Sequence, residues 1–299
     1  MKETAEPIQS PASAQRGLVA VYADLFKARL TFLVVLTTVV GFFVGSRGPI
    51  QPLLLMFALV GTALVASGAA ALNQYIEREH DTRMRRTATR PLPAKELSAG
   101  HVLLVGAITS LIGLGILQFR VNPLTALLGA ATLLSYLFVY TPLKRLTTLN
   151  TIIGAIPGAL PPLMGWAAAR NDITLGGWSL FAILFLWQLP HFLAIAWLYR
   201  EEYAQAGFVM LPAVDPDGAR TGSQAVSHSL LLIPVSLSPF ILKLVGPVYL
   251  FGALAAGIVL LAMAWKFSKS LSATSARRLF FASIIYLPLI LALMVLDKS

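Results

Sequence analysis

LLLMFALVGTALVASGAAAL at residues 53–72 runs without a charge into NQYIEREHDTRMRRTATRPLP at residues 73–93. The first stretch is about 20 residues long, which is the length that an α-helix needs to cross a bilayer. The second stretch places three acidic residues, five arginines and an asparagine directly after that apolar run. The pair predicts a membrane-spanning helix that ends in a dense polar segment, and the chemistry of that segment bears on function.

Apolar runs of similar length recur along the whole chain of 299 residues. Hydrophobic residues make up 57% of it, charged residues make up 12%, and the mean hydropathy is +0.76. A soluble domain carries about 25% charged residues, so the composition excludes an ordinary soluble fold. We predict an all-α, polytopic membrane bundle of nine transmembrane helices with a central cavity that opens to the cytoplasmic side. The predicted spans lie near residues 30–46, 53–76, 101–119, 123–140, 149–169, 178–199, 228–246, 248–265 and 279–296.

The start of the chain is predicted to lie outside the bundle. Residues 1–17 lack the apolar segment of a secretory signal, and we expect them to be a disordered tail. Residues 18–29 are expected at the membrane interface, leading into the first span. One nine-helix domain then covers residues 18–299. The chain has no cysteine, which excludes disulfides, thiolate nucleophiles and cysteine metal sites.

The basic residues are distributed unevenly between the two sides of the predicted bundle. With the N-terminus inside, most of the 23 Lys and Arg residues fall on the inner side, as the positive-inside rule requires. We therefore predict a multi-pass protein of the cell (inner) membrane, with a cytoplasmic N-terminus, an outer C-terminus and an active site that faces the cytoplasm. The net charge of +10 then reflects topology and does not indicate a nucleic-acid partner. The basic residues on the outer side are Arg47, Arg120, Arg170, Lys243 and Lys298.

Asn73, Glu77 and Asp81 are spaced by four residues. Each step of four turns an α-helix by only about 40°, so their oxygens share one face where the helix leaves the membrane. Oxygen ligands suit a hard cation such as Mg²⁺, which uses one or two carboxylates and binds phosphate oxygens. A stop-transfer signal would also explain the charges, but it needs neither Asn73 nor Glu77. The spacing therefore favours a divalent-cation site.

Four arginines follow Asn73, Glu77 and Asp81, which we call the acidic ladder, and three of the four are candidate phosphate ligands. Arg83, Arg86 and Arg90 can bind phosphate oxygens bidentately, and Pro91 and Pro93 end any helix. A cation and arginines at the mouth of an apolar bundle suit a lipid diphosphate, whose tail would enter the bundle. The cation would neutralise the leaving diphosphate while an allylic cation forms.

A second block, YTPLKRLTTLNTIIGAIPGALPPLMGW, covers residues 140–166. Lys144 and Arg145 lie on a short inner connection within reach of the same diphosphate, although two inner basic residues are also ordinary. Asn150 and the glycines and prolines after it predict an irregular span beside a ligand chamber. Small residues that serve only helix packing are the alternative reading.

A third block, WQLPHFLAIAWLYREEYAQAGFVMLP, covers residues 187–212. His191 is an intramembrane ionisable residue and so a functional candidate, or else a neutral imidazole bonded to a neighbouring helix. Glu201 and Glu202 at the inner mouth offer a second metal ligand or are merely solvated.

Aromatic residues either line the chamber and stabilise a carbocation or form an interfacial belt. They are Tyr136, Tyr140, Trp166, Trp187 and Trp197.

These three blocks resemble those of the UbiA-type intramembrane prenyltransferases. The resemblance extends from FKARLTFLVVLTT (26–38) to VMLPAV (209–214), and residues 73–93 are similar to the pattern Asn-x3-acid-x3-Asp-x2-Met-x-Arg-Thr-x2-Arg-Pro. LPHF at 189–192 followed by EEYAQAGFVMLP at 201–212 resembles the block most specific to the haem-farnesylating members, the protohaem IX farnesyltransferases or haem O synthases. Quinone-pathway members carry a second aspartate-rich motif there, which this sequence lacks. At position 77 this sequence has Glu, where the family more often has Asp, and at position 28 it has Ala, where Pro is common.

The resemblance implies roles for individual residues. It makes Asn73, Glu77 and Asp81 catalytic ligands of Mg²⁺ and diphosphate. It assigns the diphosphate to Arg83, Arg86, Arg90, Lys144 and Arg145. The candidate haem or prenyl pocket comprises His191, Tyr140, Asn150, Trp166, Trp187 and Glu202, with His191 orienting or ligating the porphyrin.

The implied reaction transfers a farnesyl group from farnesyl diphosphate to a vinyl group of haem B, giving haem O for terminal oxidases. Haem B is then a substrate and not a prosthetic group. The lipid bilayer is a further partner, and haem A synthase or oxidase assembly factors are candidates. The alternatives are a polyprenyltransferase that acts on a quinone precursor, a transporter or channel with an acidic metal site, and a non-catalytic assembly factor. Transporters place coupling residues near the bilayer midplane, whereas these acids lie at the inner mouth.

Overall fold

The predicted nine spans are confirmed in a computed structural model, which describes residues 16–299. Within those residues, nine helices are long and apolar enough to cross a membrane. We number them with two shorter helices, α1 (Leu18–Leu25) and α8 (Arg200–Gln205). The spans are α2 (Ala28–Gly45), α3 (Pro52–Asp81), α4 (Ala99–Val121), α5 (Pro123–Leu143), α6 (Asn150–Arg170), α7 (Leu175–Leu198), α9 (Ala219–Ile241), α10 (Pro247–Ser270) and α11 (Ala273–Leu296).

The sequence marks several of the helix starts. Pro52, Pro123 and Pro247 each occupy the first turn of a span, where the missing N–H leaves no hydrogen bond unmade. Asn122 caps α5 by accepting a hydrogen bond from the backbone of Thr125 at 2.8 Å. These signals explain why the apolar runs divide into separate helices across very short connections.

Three helices continue beyond their predicted apolar spans. α3 reaches Asp81, as the helical spacing of Asn73, Glu77 and Asp81 predicted, whereas α9 begins at Ala219 rather than 228 and α11 at Ala273 rather than 279. In each case the extra turns are polar, so hydropathy alone missed them.

The span after residue 149 was predicted to be irregular, and that prediction was wrong. α6 is one continuous α-helix from Asn150 to Arg170 despite Pro157, Pro161 and Pro162. Residues 159–168 are all buried, so neighbouring helices enclose the proline-rich turns on every side. Packing therefore maintains the helix that the local sequence disfavours.

Close contact between α2 and α6 places both helices at the centre of the bundle. A Cβ on Gly41 would collide with the carbonyl oxygen of Pro162, and one on Gly165 with that of Thr38. The two backbones thus approach as closely as small residues permit. α6 separates two cores, one with α3, α4 and α5 around Val65 and the other with α7, α9, α10 and α11.

The alternating direction of the spans brings several helix ends together. One end of the bundle, which we call the polar end, contains the C-terminal ends of α3, α5 and α7. The N-terminal ends of α2, α4, α6 and α9 lie at the same end. The connecting segments 82–98 and 199–218 lie there too. Most of the predicted site residues are therefore collected at this end by topology alone.

The chain enters the bundle at the polar end through α1. Residues 1–15 of the predicted tail lie outside the described residues, but Arg16 forms ion pairs with Asp24 at 3.1 Å and with Glu96. The predicted interfacial segment contains α1, which buries Val21 and Leu25 and exposes Leu18. This amphipathic arrangement suits a helix at a membrane interface.

Candidate active site

Asn73, Glu77 and Asp81 lie on one face of the last turns of α3, as their spacing predicted. Their exposed fractions are 0%, 7% and 2%, so the face points into the bundle and not toward solvent. Buried carboxylates need partners, because an unpaired charge in a low-dielectric interior is costly. The identity of those partners defines the site.

A basic side chain lies against each of these three residues. Lys27 Nζ donates to Asn73 Oδ1 at 3.2 Å, Lys144 Nζ to Glu77 Oε1 at 2.8 Å, and Arg90 Nη1 to Asp81 Oδ2 at 2.7 Å. The described cluster thus contains two carboxylates and three basic side chains. A cluster with more basic than acidic groups favours binding of an anion with several oxygens.

Lys27 is a site residue that the sequence motifs did not predict. It lies between α1 and α2 with a left-handed backbone (φ 46°), a conformation that is uncommon outside glycine. That turn directs its ammonium group toward Asn73 and toward Tyr136, whose hydroxyl oxygen is 3.4 Å away. Burial and the charges of Arg90 and Lys144 lower the pKa of Lys27 to about 7. The only signal in the sequence was a basic residue just before a span, which topology already explained.

Hydrogen bonds fix the orientation of the Asn73 amide. Its Nδ2 donates to Thr141 Oγ1 at 3.1 Å, and the Thr141 hydroxyl donates to the carbonyl of Tyr136 at 2.8 Å. The amide oxygen is therefore the atom left to face Lys27. Thr141 is a positioning residue that the sequence did not indicate.

Two tyrosines on α5 line the same cluster. The Tyr136 and Tyr140 ring centres are 5.7 Å apart, and Lys144 Nζ lies 4.6 Å from the centre of the Tyr140 ring. Gly154 on α6 makes room for Tyr140, because a Cβ there would collide with the ring. The structure thus brings Tyr140, a predicted pocket residue, into contact with the charged cluster.

The other predicted diphosphate ligands lie nearer the surface. Arg86 donates to the hydroxyl of Tyr203 at 3.1 Å, and Arg145 lies 3.1 Å from the ring of His80. Arg83 is exposed, and its guanidinium group has no hydrogen-bond partner among the described residues. Of the five basic residues predicted for this role, the structure brings Arg90 and Lys144 to the ladder.

The segment after α7 packs onto the Lys144 connection. The Val209 amide donates to the carbonyl of Lys144, and Asn150 Nδ2 donates to the carbonyl of Val209, both at 2.8 Å. Glu202 has a buried carboxylate oxygen with no partner among the described residues. Asn150 therefore holds two parts of the site together, while Glu202 has an oxygen available for a ligand.

His191 and Trp187 form a separate group between α7 and α11. The His191 ring is stacked between Trp187 and Phe280, with 5.1 Å between ring centres on each side. His191 Nδ1 lies 2.8 Å from the hydroxyl of Ser283. Their contacts are with α11, and none of the described hydrogen bonds links them to the acidic ladder.

Trp166 lies apart from the site. It is 16 residues along α6 from Asn150, about 24 Å at 1.5 Å per residue. It is 1% exposed, packs against Gly45, Gly176 and Gly177, and has Arg170 above its ring at 4.9 Å. The structure therefore does not bring this predicted pocket residue to the polar end, and three glycines explain its burial there.

The ladder fits a hard divalent cation by its donor set. Asn73, Glu77 and Asp81 supply only oxygen atoms, all facing one buried cluster. Among residues 16–299 no three His, Asp or Glu side chains gather as an all-protein metal site. Two carboxylates with one amide match a cation that keeps other oxygen ligands, such as those of a diphosphate.

The sequence of the chain matches a known protein family. The sequence model described as the UbiA prenyltransferase family matches residues 34–285. The chain belongs to the UbiA prenyltransferase family. A protoheme IX farnesyltransferase from Solibacter usitatus (strain Ellin6076) is 48% identical over 286 residues, which is 93% of this chain and 98% of the relative. Other relatives with 40% identity or more carry the same name.

Solved structures support the UbiA fold. A structure of digeranylgeranylglyceryl phosphate synthase matches with a TM-score of 0.79 and 17% identity, over 93% of this chain and 98% of that one. A UbiA homologue from Archaeoglobus fulgidus, bound to GPP and Mg²⁺, matches with a TM-score of 0.63 and 13% identity, over 92% and 99%. At these identities the likeness establishes the fold, a multi-pass helical bundle of the UbiA type.

Proposed function

We propose that this protein transfers the farnesyl group of farnesyl diphosphate to a vinyl group of haem B, producing haem O and diphosphate. The names of its relatives support haem as the acceptor of the farnesyl group, since the chain is 48% identical to a protoheme IX farnesyltransferase along nearly its whole length. The observation that carries the chemistry is the buried ladder of Asn73, Glu77 and Asp81 faced by three basic side chains. That arrangement suits a diphosphate bound together with a divalent cation.

Asn73, Glu77 and Asp81 would hold Mg²⁺ with the diphosphate. When bound, the cation would neutralise charge on the leaving diphosphate and so lower the barrier to ionisation. The solved UbiA homologue with GPP and Mg²⁺ supports the choice of metal. Glu202, with its unpartnered buried oxygen, is a candidate for a further oxygen contact.

The basic residues would change partners when the substrate binds. Lys144 and Arg90 form ion pairs with Glu77 and Asp81, and Lys27 contacts Asn73. With the ladder oxygens holding the metal, these basic groups would be free to donate to diphosphate oxygens. They would stabilise the charge that develops as the bond between C1 and oxygen breaks and its electron pair leaves with diphosphate.

The remaining steps need an apolar, aromatic environment. Tyr136 and Tyr140 lie beside the charged cluster, where their ring faces would stabilise the farnesyl cation. The vinyl π electrons of haem form the new bond to C1, and water adds to the carbon left positive and loses a proton. The product carries a hydroxyethylfarnesyl chain.

We place the polar end at the cytoplasmic face of the cell (inner) membrane, with the N-terminus inside. The distribution of basic residues supports this orientation. The central cavity open to that side remains a prediction. Haem A synthase or oxidase assembly factors remain candidate partners, because haem O is consumed in building terminal oxidases.

The test is an assay on membranes that contain the protein. They are incubated with haem B, farnesyl diphosphate and Mg²⁺, and the extracted haems are analysed by mass spectrometry. Haem O is the expected product, and its formation should stop when the metal is chelated. Prenylation of an added quinone precursor without any haem O would instead identify a polyprenyltransferase of the quinone pathway.

A further inference from the structure

Ser283 on α11 contacts His191 in a way that restricts the chemistry of the imidazole. The serine hydroxyl is completely buried and lies 2.8 Å from His191 Nδ1 and 2.6 Å from the carbonyl oxygen of Phe280. The Trp187 indole donates to the backbone carbonyl of Ser283 at 2.7 Å. The hydroxyl of Ser283 thus contacts His191, and its backbone carbonyl accepts a hydrogen bond from the neighbouring Trp187.

The hydrogen bonds decide which ring nitrogen carries the proton. A carbonyl oxygen only accepts, so the bond to Phe280 uses the single hydrogen of the Ser283 hydroxyl. The hydroxyl oxygen is then the acceptor for His191, and Nδ1 must be the donor. The neutral imidazole is therefore the Nδ1–H tautomer, with the lone pair on Nε2.

Nothing else among residues 16–299 forms a hydrogen bond with the imidazole, which is partly exposed. Stacking between Trp187 and Phe280 prevents the ring from rotating freely about its bonds. A histidine with one nitrogen committed to a hydrogen bond and the other carrying a lone pair is arranged as a metal ligand.

We propose that Ser283 is a positioning residue, which holds His191 in the Nδ1–H tautomer so that Nε2 coordinates the iron of haem. The proposal rests on the proposed function, since haem B is the iron complex that the reaction brings into the bundle. Ser283 does not touch the porphyrin itself. It acts through the orientation and basicity of the imidazole.

The experiment measures haem binding by purified protein in detergent, without farnesyl diphosphate. Haemin is titrated and followed by its Soret band, and the iron–histidine stretching band is recorded by resonance Raman spectroscopy after reduction. His191→Ala should abolish that band. Ser283→Ala should weaken haem binding by about 10- to 100-fold, the usual effect of removing an outer hydrogen bond to a ligating histidine, and should shift the band to lower frequency.

Two variants separate positioning from simple stability. Ser283→Thr keeps the hydroxyl and should restore the band position of the unmodified protein. Ser229→Ala is the matched control, because Ser229 is also buried but donates only to the carbonyl of Ala225 within its own helix. It should change neither haem affinity nor the band.

Two results would overturn the proposal. One is an iron–histidine band that survives in His191→Ala, and the other is a Ser283→Ala variant that loses thermal stability but keeps the affinity and band of the unmodified protein. In either case haem O formation in the membrane assay would leave the proposed function intact. Absence of both haem binding and haem O would defeat the two proposals together.

Discussion

Lys144 donates a 2.8 Å hydrogen bond to Glu77 from a connection 67 residues further along the chain. The same arrangement recurs one helical turn away, where Arg90 contacts Asp81 at 2.7 Å. Each predicted metal ligand with a negative charge is therefore paired with a predicted diphosphate ligand. In the proposed reaction the metal and the diphosphate would each take one partner of every pair.

These pairs predict that metal and diphosphate bind cooperatively. A divalent cation alone would have to compete with Lys144 and Arg90, whereas an arriving diphosphate gives those groups new partners. We expect Mn²⁺, used as a probe for Mg²⁺, to bind about 10-fold more tightly or better when farnesyl thiodiphosphate is present. The measurement is the loss of the free Mn²⁺ signal in electron paramagnetic resonance, corrected for complexes formed without protein. Equal Mn²⁺ affinity in both conditions would contradict the partner exchange.

Asp81→Asn should reduce kcat by about 100-fold or more, because it removes a charged oxygen that stabilises the transition state. It also leaves Arg90 without its ion-pair partner. Haem O formation is measured in membranes alongside protein level and thermal stability. The matched control is Glu79→Gln on the same helix, whose side chain is 77% exposed and which should keep full activity.

Lys27→Met should lower kcat/KM for farnesyl diphosphate by about 10- to 100-fold, the size expected for one charge-assisted hydrogen bond to phosphate. Lys27→Arg should recover part of the loss. Arg29, two residues on, is exposed at the start of α2, so Arg29→Gln serves as the control. If Lys27→Met behaved like Arg29→Gln, Lys27 would be a topological charge and not a ligand.

The sequence could predict the ladder because helical periodicity alone places Asn73, Glu77 and Asp81 on one face. It could predict the nine spans because a bilayer requires long apolar helices. It could not predict Lys27, whose contact depends on one left-handed backbone angle, or Ser283, an ordinary serine until α11 is set beside α7. Trp166 was predicted as an aromatic residue that lines the chamber, yet its depth along α6 separates it from the site.

Gly154→Ala should reduce activity more than stability. The added Cβ would overlap the Tyr140 ring, and the ring can move only by giving up its position beside Lys144. We expect kcat to fall several-fold while the melting temperature changes little, because a side chain is displaced rather than a backbone. Gly115→Ala is the matched control, since a Cβ on Gly115 in α4 meets open space. Equal haem O formation by both variants would show that the Tyr140 ring position is unimportant, whereas a large drop in the melting temperature of Gly154→Ala would show that α6 itself had moved.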